Sequence, residues 1–227
     1  MDDMTPTVWE EAYGAGLGSG IDTVSGVSGS TNIEFTPNMT PDGITARIAY
    51  SPNAGGSGAA DKGSAESSGS VKDSGYDITI VADGAATPDG LTIYAGLSKI
   101  DQHESVTFSD DVTETTAGIK YAVGSFTLGY QYSKEDNGRA TTTTEYQNDG
   151  YGITFAINDD LSVGYNRYKS EQQSTTNVEA KADALQIAYS AGGLSVRLAE
   201  QSIENQSYAT GAAAERDATT LSVALAF

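Results

Sequence analysis

The residues that could do chemistry in this sequence are charged side chains, and they form two groups. The first group is acidic and lies within residues 1–30, which contain no basic residue: Asp2, Asp3, Glu10, Glu11 and Asp22. The second group consists of isolated basic residues within alternating apolar stretches: Arg47, Lys120 and Arg197. Carboxylates that face cations across a water-filled space attract counter-ions and orient dipolar solutes, so this chemistry is electrostatic rather than covalent.

The composition argues against covalent and metal chemistry. The chain of 227 residues has no cysteine and a single histidine, His103, which removes thiol nucleophiles, disulfides and most histidine-based metal sites or catalytic triads. No serine lies in a Gly-x-Ser-x-Gly motif. The formal net charge of -19 at pH 7 disfavours nucleic acid, whose phosphates need a positive surface. We therefore expect neither an enzyme nor a nucleic-acid partner.

The elements that must position the charges are β-strands, and the last ten residues show the pattern most clearly. Large residues occupy every second position and alternate with alanine, threonine and serine: Thr219, Leu221, Val223, Leu225 and Phe227. Successive side chains of a strand point to opposite faces, so this period of two predicts a strand with one large apolar face and one small face. No continuous apolar run is long enough for a transmembrane helix.

The same alternation recurs along the chain and predicts eleven strands. Their patterned parts lie within residues 32–36, 43–50, 76–80, 91–98, 115–123, 126–133, 151–157, 161–166, 185–189, 194–199 and 218–227. Long connections (51–74, 101–111, 134–144, 171–176 and 204–215) alternate with short ones (37–43, 84–90, 124–125, 158–160 and 191–193). Short turns at one end and long loops at the other are typical of a membrane barrel, whereas a soluble Greek-key sandwich has no reason to segregate them.

The two faces of the predicted strands differ in a way that favours a barrel wall. The large face is almost free of charge in mid-strand, where a lysine or arginine facing lipid would cost about 2–4 kcal/mol. Arg47, Lys120 and Arg197 fall on the small face, which we expect to line the lumen. Tyrosines near strand ends predict an interfacial belt: Tyr50, Tyr76, Tyr132, Tyr151 and Tyr168. The fold class predicted is therefore an all-β transmembrane antiparallel up-and-down barrel.

These features resemble a Gram-negative outer-membrane general porin of the alphaproteobacterial type. The resemblance rests on the closing strand Ala218 to Phe227, the paired amphipathic strands and the alternating loop lengths. It implies a sixteen-stranded homotrimeric channel whose third long loop folds into the lumen and narrows it. Eleven strands are an odd number, whereas single-chain bacterial barrels have even counts. The resemblance therefore implies the C-terminal part of such a porin, with Met1 as an internal start or the chain as a fragment without a secretory signal.

Two domains follow from this interpretation. Residues 1–30 are expected to form an inward-folding acidic constriction loop with a short helix, since Thr7 and Glu10 fit a capping box. Residues 31–227 are expected to supply the strands, with short periplasmic turns and long extracellular loops. Two alternatives remain open. A strand hidden in residues 1–30 would give a twelve-stranded autotransporter-type translocator with a plug helix, and the chain could also be a soluble extracellular β-sandwich or adhesin.

The function implied is passive diffusion of small hydrophilic solutes and ions, with a preference for cations set by the five acidic residues. The three basic residues would supply the opposite wall of the constriction. Loop carboxylates are expected to face outside, where they could share calcium or other divalent cations with lipopolysaccharide phosphates: Asp61, Glu66, Asp73, Asp101, Glu104, Asp110 and Asp111. No other cofactor is expected.

Overall fold

The fold is built from antiparallel β-strands. The computed structural model describes residues 24, 26–27, 30–54, 72–103, 108–140, 145–174 and 176–226. Within these ranges the chain forms eleven strands: β1 (Ile33–Phe35), β2 (Ile44–Ser51), β3 (Lys72–Ala82), β4 (Leu91–Gln102), β5 (Val112–Val123), β6 (Phe126–Asp136), β7 (Glu145–Ala156), β8 (Leu161–Gln173), β9 (Val178–Ala191), β10 (Leu194–Glu204) and β11 (Arg216–Leu225). Three short 3-10 turns lie in the connections: Gly84–Ala86, Gln206–Tyr208 and Ala212–Ala214.

All eleven strands belong to one sheet, in which each strand pairs with its neighbours in sequence from β1 to β11. This order confirms the predicted up-and-down architecture, and the described strands do not divide into the two sheets of a sandwich. We call the strand ends joined by the short connections (36–43, 83–90, 124–125, 157–160 and 192–193) the turn end, and the opposite side the loop end. Among the described residues, no helix is long and apolar enough to cross a membrane.

The large apolar side chains of the sheet point outward and are exposed. Ile78, Ile153 and Leu185 have 43%, 38% and 52% of their surface accessible, and the other long strands except β8 also carry exposed apolar residues. The outward residues of β8 are partly exposed. The opposite face contains buried polar residues such as Ser98 and Asn148. A continuous apolar surface of this extent is far larger than water-soluble monomers expose. The outward face is therefore a lipid-facing surface, as predicted.

Most strands extend further toward the loop end than the sequence pattern predicted. β7 begins at Glu145 rather than at Tyr151, and β9 begins at Val178 rather than at Leu185. The added strand segments show no alternation of apolar and polar residues, because charged residues occupy their outward positions. Cross-strand ion pairs replace apolar contacts at these positions: Lys134–Glu145 at 2.5 Å, Arg167–Asp183 at 2.6 Å and Lys181–Glu204 at 3.4 Å. The strands thus continue beyond the apolar band.

The tyrosine belt contains one wrong assignment. Tyr50, Tyr76 and Tyr151 lie on the outward face and are more than a third exposed. Tyr168 instead points inward and is only 5% exposed. The reason is the strand's own period: Tyr165 faces outward, so Tyr168, three residues later, must face the opposite side.

The sheet has two edges. In the part of the chain that the structure describes, β1 pairs with β2 alone and β11 pairs with β10 alone. The outward residues of β11 are correspondingly more exposed than those of inner strands, with Leu221 at 65%. These edges carry a row of backbone groups that need partners within a membrane.

Candidate functional site

A row of polar residues crosses the inward face of β3, β4 and β5. Asp77 is paired with Ser98, and Ser98 with Glu114, so the three side chains lie side by side on adjacent strands. All three are fully buried. Sequence reasoning missed Asp77 and Glu114. The signal that could have found Asp77 is its position between Tyr76 and Ile78, where an acid interrupts an apolar strand.

The chain before β1 is attached to this row. The Gly26 backbone N–H donates to Glu114 Oε2 at 2.6 Å, and the Val27 N–H donates to Asp77 Oδ1 and Oδ2 at 3.1 and 3.0 Å. Hydrogen bonds to an ionised acceptor are about twice as strong as neutral ones. Two successive peptide groups thus bind carboxylates on two strands, β3 and β5, and this point of the chain is fixed against the inward face.

The Val27 side chain strengthens the attachment. It packs with Ala49, Ile100 and Val112, which are inward-facing and buried. These apolar residues stand on a face that is otherwise polar, and they form the patch that receives Val27. The attachment therefore combines charge-assisted hydrogen bonds with apolar burial.

Gly26 is the residue that allows this close approach. Its φ is +62°, a left-handed conformation that favours glycine. A Cβ at this position would lie 2.3 Å from Asp77 Oδ2, well inside contact distance. The backbone reaches the Asp77 carboxylate because Gly26 has no side chain.

The three predicted basic residues lie on the inward face at a common depth. Arg47 and Arg197 are each the fourth residue of their strands counted from the turn end, and Lys120 is the fourth from the turn end of β5. Arg47 lies near Glu34, with Nε to Oε1 at 3.9 Å, and its side chain is half exposed. The cations therefore lie near the turn end, whereas the Asp77 and Glu114 carboxylates lie further toward the loop end.

A bulky inward residue, Tyr94, lies flat against the wall at the level of these cations, since it too is the fourth residue of its strand from the turn end. The Tyr94 hydroxyl donates to Gln131 Oε1 at 2.7 Å, two strands away. The ring crosses Gly118, where a Cβ would lie 2.3 Å from the Tyr94 ring and hydroxyl. The absence of a side chain at Gly118 thus allows the Tyr94 ring to lie against the sheet.

The five predicted acidic residues Asp2, Asp3, Glu10, Glu11 and Asp22 lie outside the described residues, as does the short helix predicted from the capping box of Thr7 and Glu10. Of the loop carboxylates, Asp61, Glu66 and Glu104 also lie outside them. The others make local contacts. Asp73 lies 3.2 Å from His103 Nε2, and Asp101 accepts a hydrogen bond from Ser74 at 2.8 Å. Across the described ranges, no three potential ligands come together as a metal site.

Asp111 at the loop end provides a test of the local electrostatics. Its hydrogen bond with the Lys99 ammonium, at 2.9 Å, holds the pKa of Asp111 below its ordinary value of 3.8. A carboxyl group with a lowered pKa stabilises the folded protein at pH values above its ordinary pKa. This stabilisation is lost as the pH falls through the pKa of the group in the folded protein. We expect Lys99→Met to raise the pKa of Asp111 toward 3.8 and to change the unfolding free energy at pH 7 by less than about 1 kcal/mol, because the pair is exposed. An NMR titration of the Asp111 carboxyl that shows no change between the two proteins would contradict this expectation.

The family model for Gram-negative porins matches residues 1–190. The chain belongs to the Gram-negative porin family. This porin is accordingly an outer-membrane protein, and the alphaproteobacterial subtype stays a prediction. No curated protein matches its sequence.

Solved structures share the fold of this porin at low identity. Salmonella typhi OmpF, in complex with daunomycin, has a TM-score of 0.64 and 13% identity over 85% of this chain and 61% of its own. The anion-selective porin from Comamonas acidovorans has a TM-score of 0.59 and 12% identity over 77% and 48%. OmpT of Vibrio cholerae, folded in vitro, has a TM-score of 0.55 and 14% identity over 87% and 63%. This porin thus spans about half to two-thirds of the length of each.

Proposed function

We propose that this porin forms a water-filled channel through which small hydrophilic solutes and ions diffuse passively across the outer membrane. The observation that carries the proposal is the two-faced sheet, with exposed Ile, Leu and Tyr outward and Ser, Asn, Gln and Gly inward. Such a wall isolates a polar interior from lipid. Transport of this kind needs no covalent step, so we propose a channel and not an enzyme.

The complete channel, in this proposal, is a closed barrel of sixteen strands that assembles as a homotrimer. The two sheet edges at β1 and β11 support closure, because each unpaired backbone group in hydrocarbon costs several kcal/mol. Five further strands would satisfy both edges. The turn end would face the periplasm and the loop end the outside, where the loop carboxylates meet lipopolysaccharide and its divalent cations.

Cation preference is the finer part of the proposal. It is supported by the attachment of Gly26 and Val27 to the inward face, because the acidic residues from Asp2 to Asp22 directly precede this point. In this proposal residues 1–30 are an inward-folding constriction loop. Its carboxylates oppose the inward cations Arg47, Lys120 and Arg197, and low-dielectric walls strengthen the field between them.

The test is planar-bilayer conductance of the purified channel with a salt gradient. We expect cation preference in the unaltered protein and a permeability ratio closer to one after Glu10→Gln and Glu11→Gln together, since two of the five acidic charges are removed. A matched control is Asp159→Asn with Asp160→Asn, which also removes two adjacent acids but in an exposed turn. Unchanged selectivity in the first variant would remove Glu10 and Glu11 from the filter. Anion preference in the unaltered protein would assign selectivity to the inward cations.

A further inference from the structure

The long connection between β10 and β11 turns back onto the inward face. β10 ends at Glu204, and the next 3-10 turn, Gln206–Tyr208, lies at the loop end of the sheet. Tyr208 packs against a cluster of buried residues that all face inward: Tyr168, Ala180, Ala182 and Ile203. A loop projecting away from the sheet would leave this cluster without the Tyr208 contact.

Three contacts hold the turn in place, one on each of three strands. The Tyr208 ring packs on the ring of Tyr146 in β7, with centroids 5.2 Å apart and planes inclined by 50°. The Tyr208 hydroxyl lies 2.7 Å from Ser170 Oγ in β8. The Asn205 side-chain amide donates to the Glu179 carbonyl in β9 at 2.8 Å. An aromatic contact, a hydrogen bond between two hydroxyl groups and a hydrogen bond from a side-chain amide thus hold the turn against the sheet together.

The backbone of the turn is strained. Asn205, Ser207 and Tyr208 have φ values of 53°, 54° and 57°, and no other non-glycine residue in the described ranges has a positive φ. Such conformations persist only where surrounding contacts over-determine them. The wall contacts, rather than the intrinsic preference of the turn, therefore set its shape.

We propose that residues 205–214, here called the inward flap, narrow the loop-end mouth of the channel, and that Tyr208 is the positioning residue that holds the flap against β7 and β8. The inference rests on the proposed channel function. The flap is separate from the attachment of Gly26 and Val27, which lies on β3 and β5. The channel then has two narrowings on its inward face, one at β3 to β5 and the other at β7 to β9.

The first test is single-channel conductance of Tyr208→Ala. Loss of the ring frees the flap, and we expect conductance to rise by a factor of about 1.5 or more, because the mouth widens. Tyr208→Phe keeps the ring contact and loses only the hydroxyl, so its conductance should stay near that of the unaltered channel. The matched control is Tyr189→Ala, which removes a tyrosine from the lipid-facing side. Unchanged conductance in Tyr208→Ala would contradict the proposal that the inward flap narrows the loop-end mouth.

The second test measures the position of the flap directly. The chain has no cysteine, so a single Ala180→Cys is the only thiol that a water-soluble thiosulfonate reagent can label. Ala180 is fully buried in the Tyr208 cluster, and we expect labelling to be about tenfold or more faster when Tyr208→Ala is added. Ser222→Cys, an exposed position on the inward face of β11, should label quickly in both backgrounds. Fast labelling of Ala180→Cys with Tyr208 intact overturns the flap.

The two tests separate failure of the flap from failure of the channel. Folded, heat-modifiable protein that gives no conductance steps contradicts the channel function, while the labelling rates still report where the flap lies. Conductance steps with fast labelling of Ala180→Cys leave the channel function standing and reject the flap. If Tyr208→Ala does not fold, the labelling rate of Ala180→Cys in the otherwise unaltered protein decides the position of the flap.

Discussion

Ile153→Arg is expected to destabilise the inserted barrel strongly, whereas Thr154→Arg, one residue later, is expected to fold with little loss. Ile153 lies outward in β7 between Leu128 and Tyr165, in the middle of the apolar band. Arginine at the bilayer midplane costs about 2–4 kcal/mol. This is a large share of the 5–15 kcal/mol that stabilises a typical fold. Thr154 faces inward between Thr127 and Gly164, where a guanidinium remains in water.

The measurement is the folded fraction of each variant in lipid vesicles across a urea titration, read from heat-modifiable migration. The adjacent pair is a matched control, because both variants add the same charge to the same strand and differ only in the face. Equal loss of folding in both would contradict the assignment of faces. A greater loss in Thr154→Arg would reverse it.

Gly26→Ala is expected to detach the chain before β1 from the inward face. The added methyl group would lie 2.3 Å from Asp77 Oδ2, so the backbone must withdraw from the carboxylate. The Val27 and Gly26 hydrogen bonds are lost together, and each bond to a charged acceptor contributes about 1.5–3 kcal/mol. A loss of about 3 kcal/mol raises the detached population by about a hundredfold. We expect a change in conductance and more current noise from the freed segment.

The matched control is Gly124→Ala. Gly124 has a φ of +57°, close to the +62° of Gly26, but a Cβ there meets nothing within 4 Å. Both variants therefore incur the left-handed strain of about 1–2 kcal/mol, and only Gly26→Ala disturbs the carboxylate. Asp77→Ala should reproduce the part of the effect that comes from the Val27 hydrogen bonds, without backbone strain and with the Gly26–Glu114 bond retained. If Gly26→Ala and Gly124→Ala conduct alike, the Asp77 contact does not hold this segment.

Local sequence was sufficient to predict the strands and their faces. In β6, for example, Leu128 and Tyr130 alternate with Gly129 and Gln131, and the period of two reports which side each residue faces. The short turns were predicted equally well. Gly124 and Ser125, for example, are the only residues between two alternating stretches, so the connection between β5 and β6 must be short. The same period also placed Arg47, Lys120 and Arg197 on the small face, where the structure has them.

The ends of the strands were harder to predict for a local reason. Beyond the apolar band both faces carry polar residues, so alternation gives no signal, and the strand continues through pairs such as Arg167–Asp183. Only the pairing of β8 with β9 shows that these residues are opposite each other. The inward position of Tyr168 could have been read from its spacing to Tyr165, but its packing partner could not.

What the sequence by itself determined about this porin is the described part of the wall: its eleven strands, their order and the side each residue faces, because these depend on neighbours along the chain. What only the tertiary structure decided is how the connections meet that wall. Gly26 binds Glu114 across 88 positions, Val27 binds Asp77 across 50, and Tyr208 reaches Ser170 across 38. No local period encodes such contacts, because they exist only once the sheet has brought distant strands side by side.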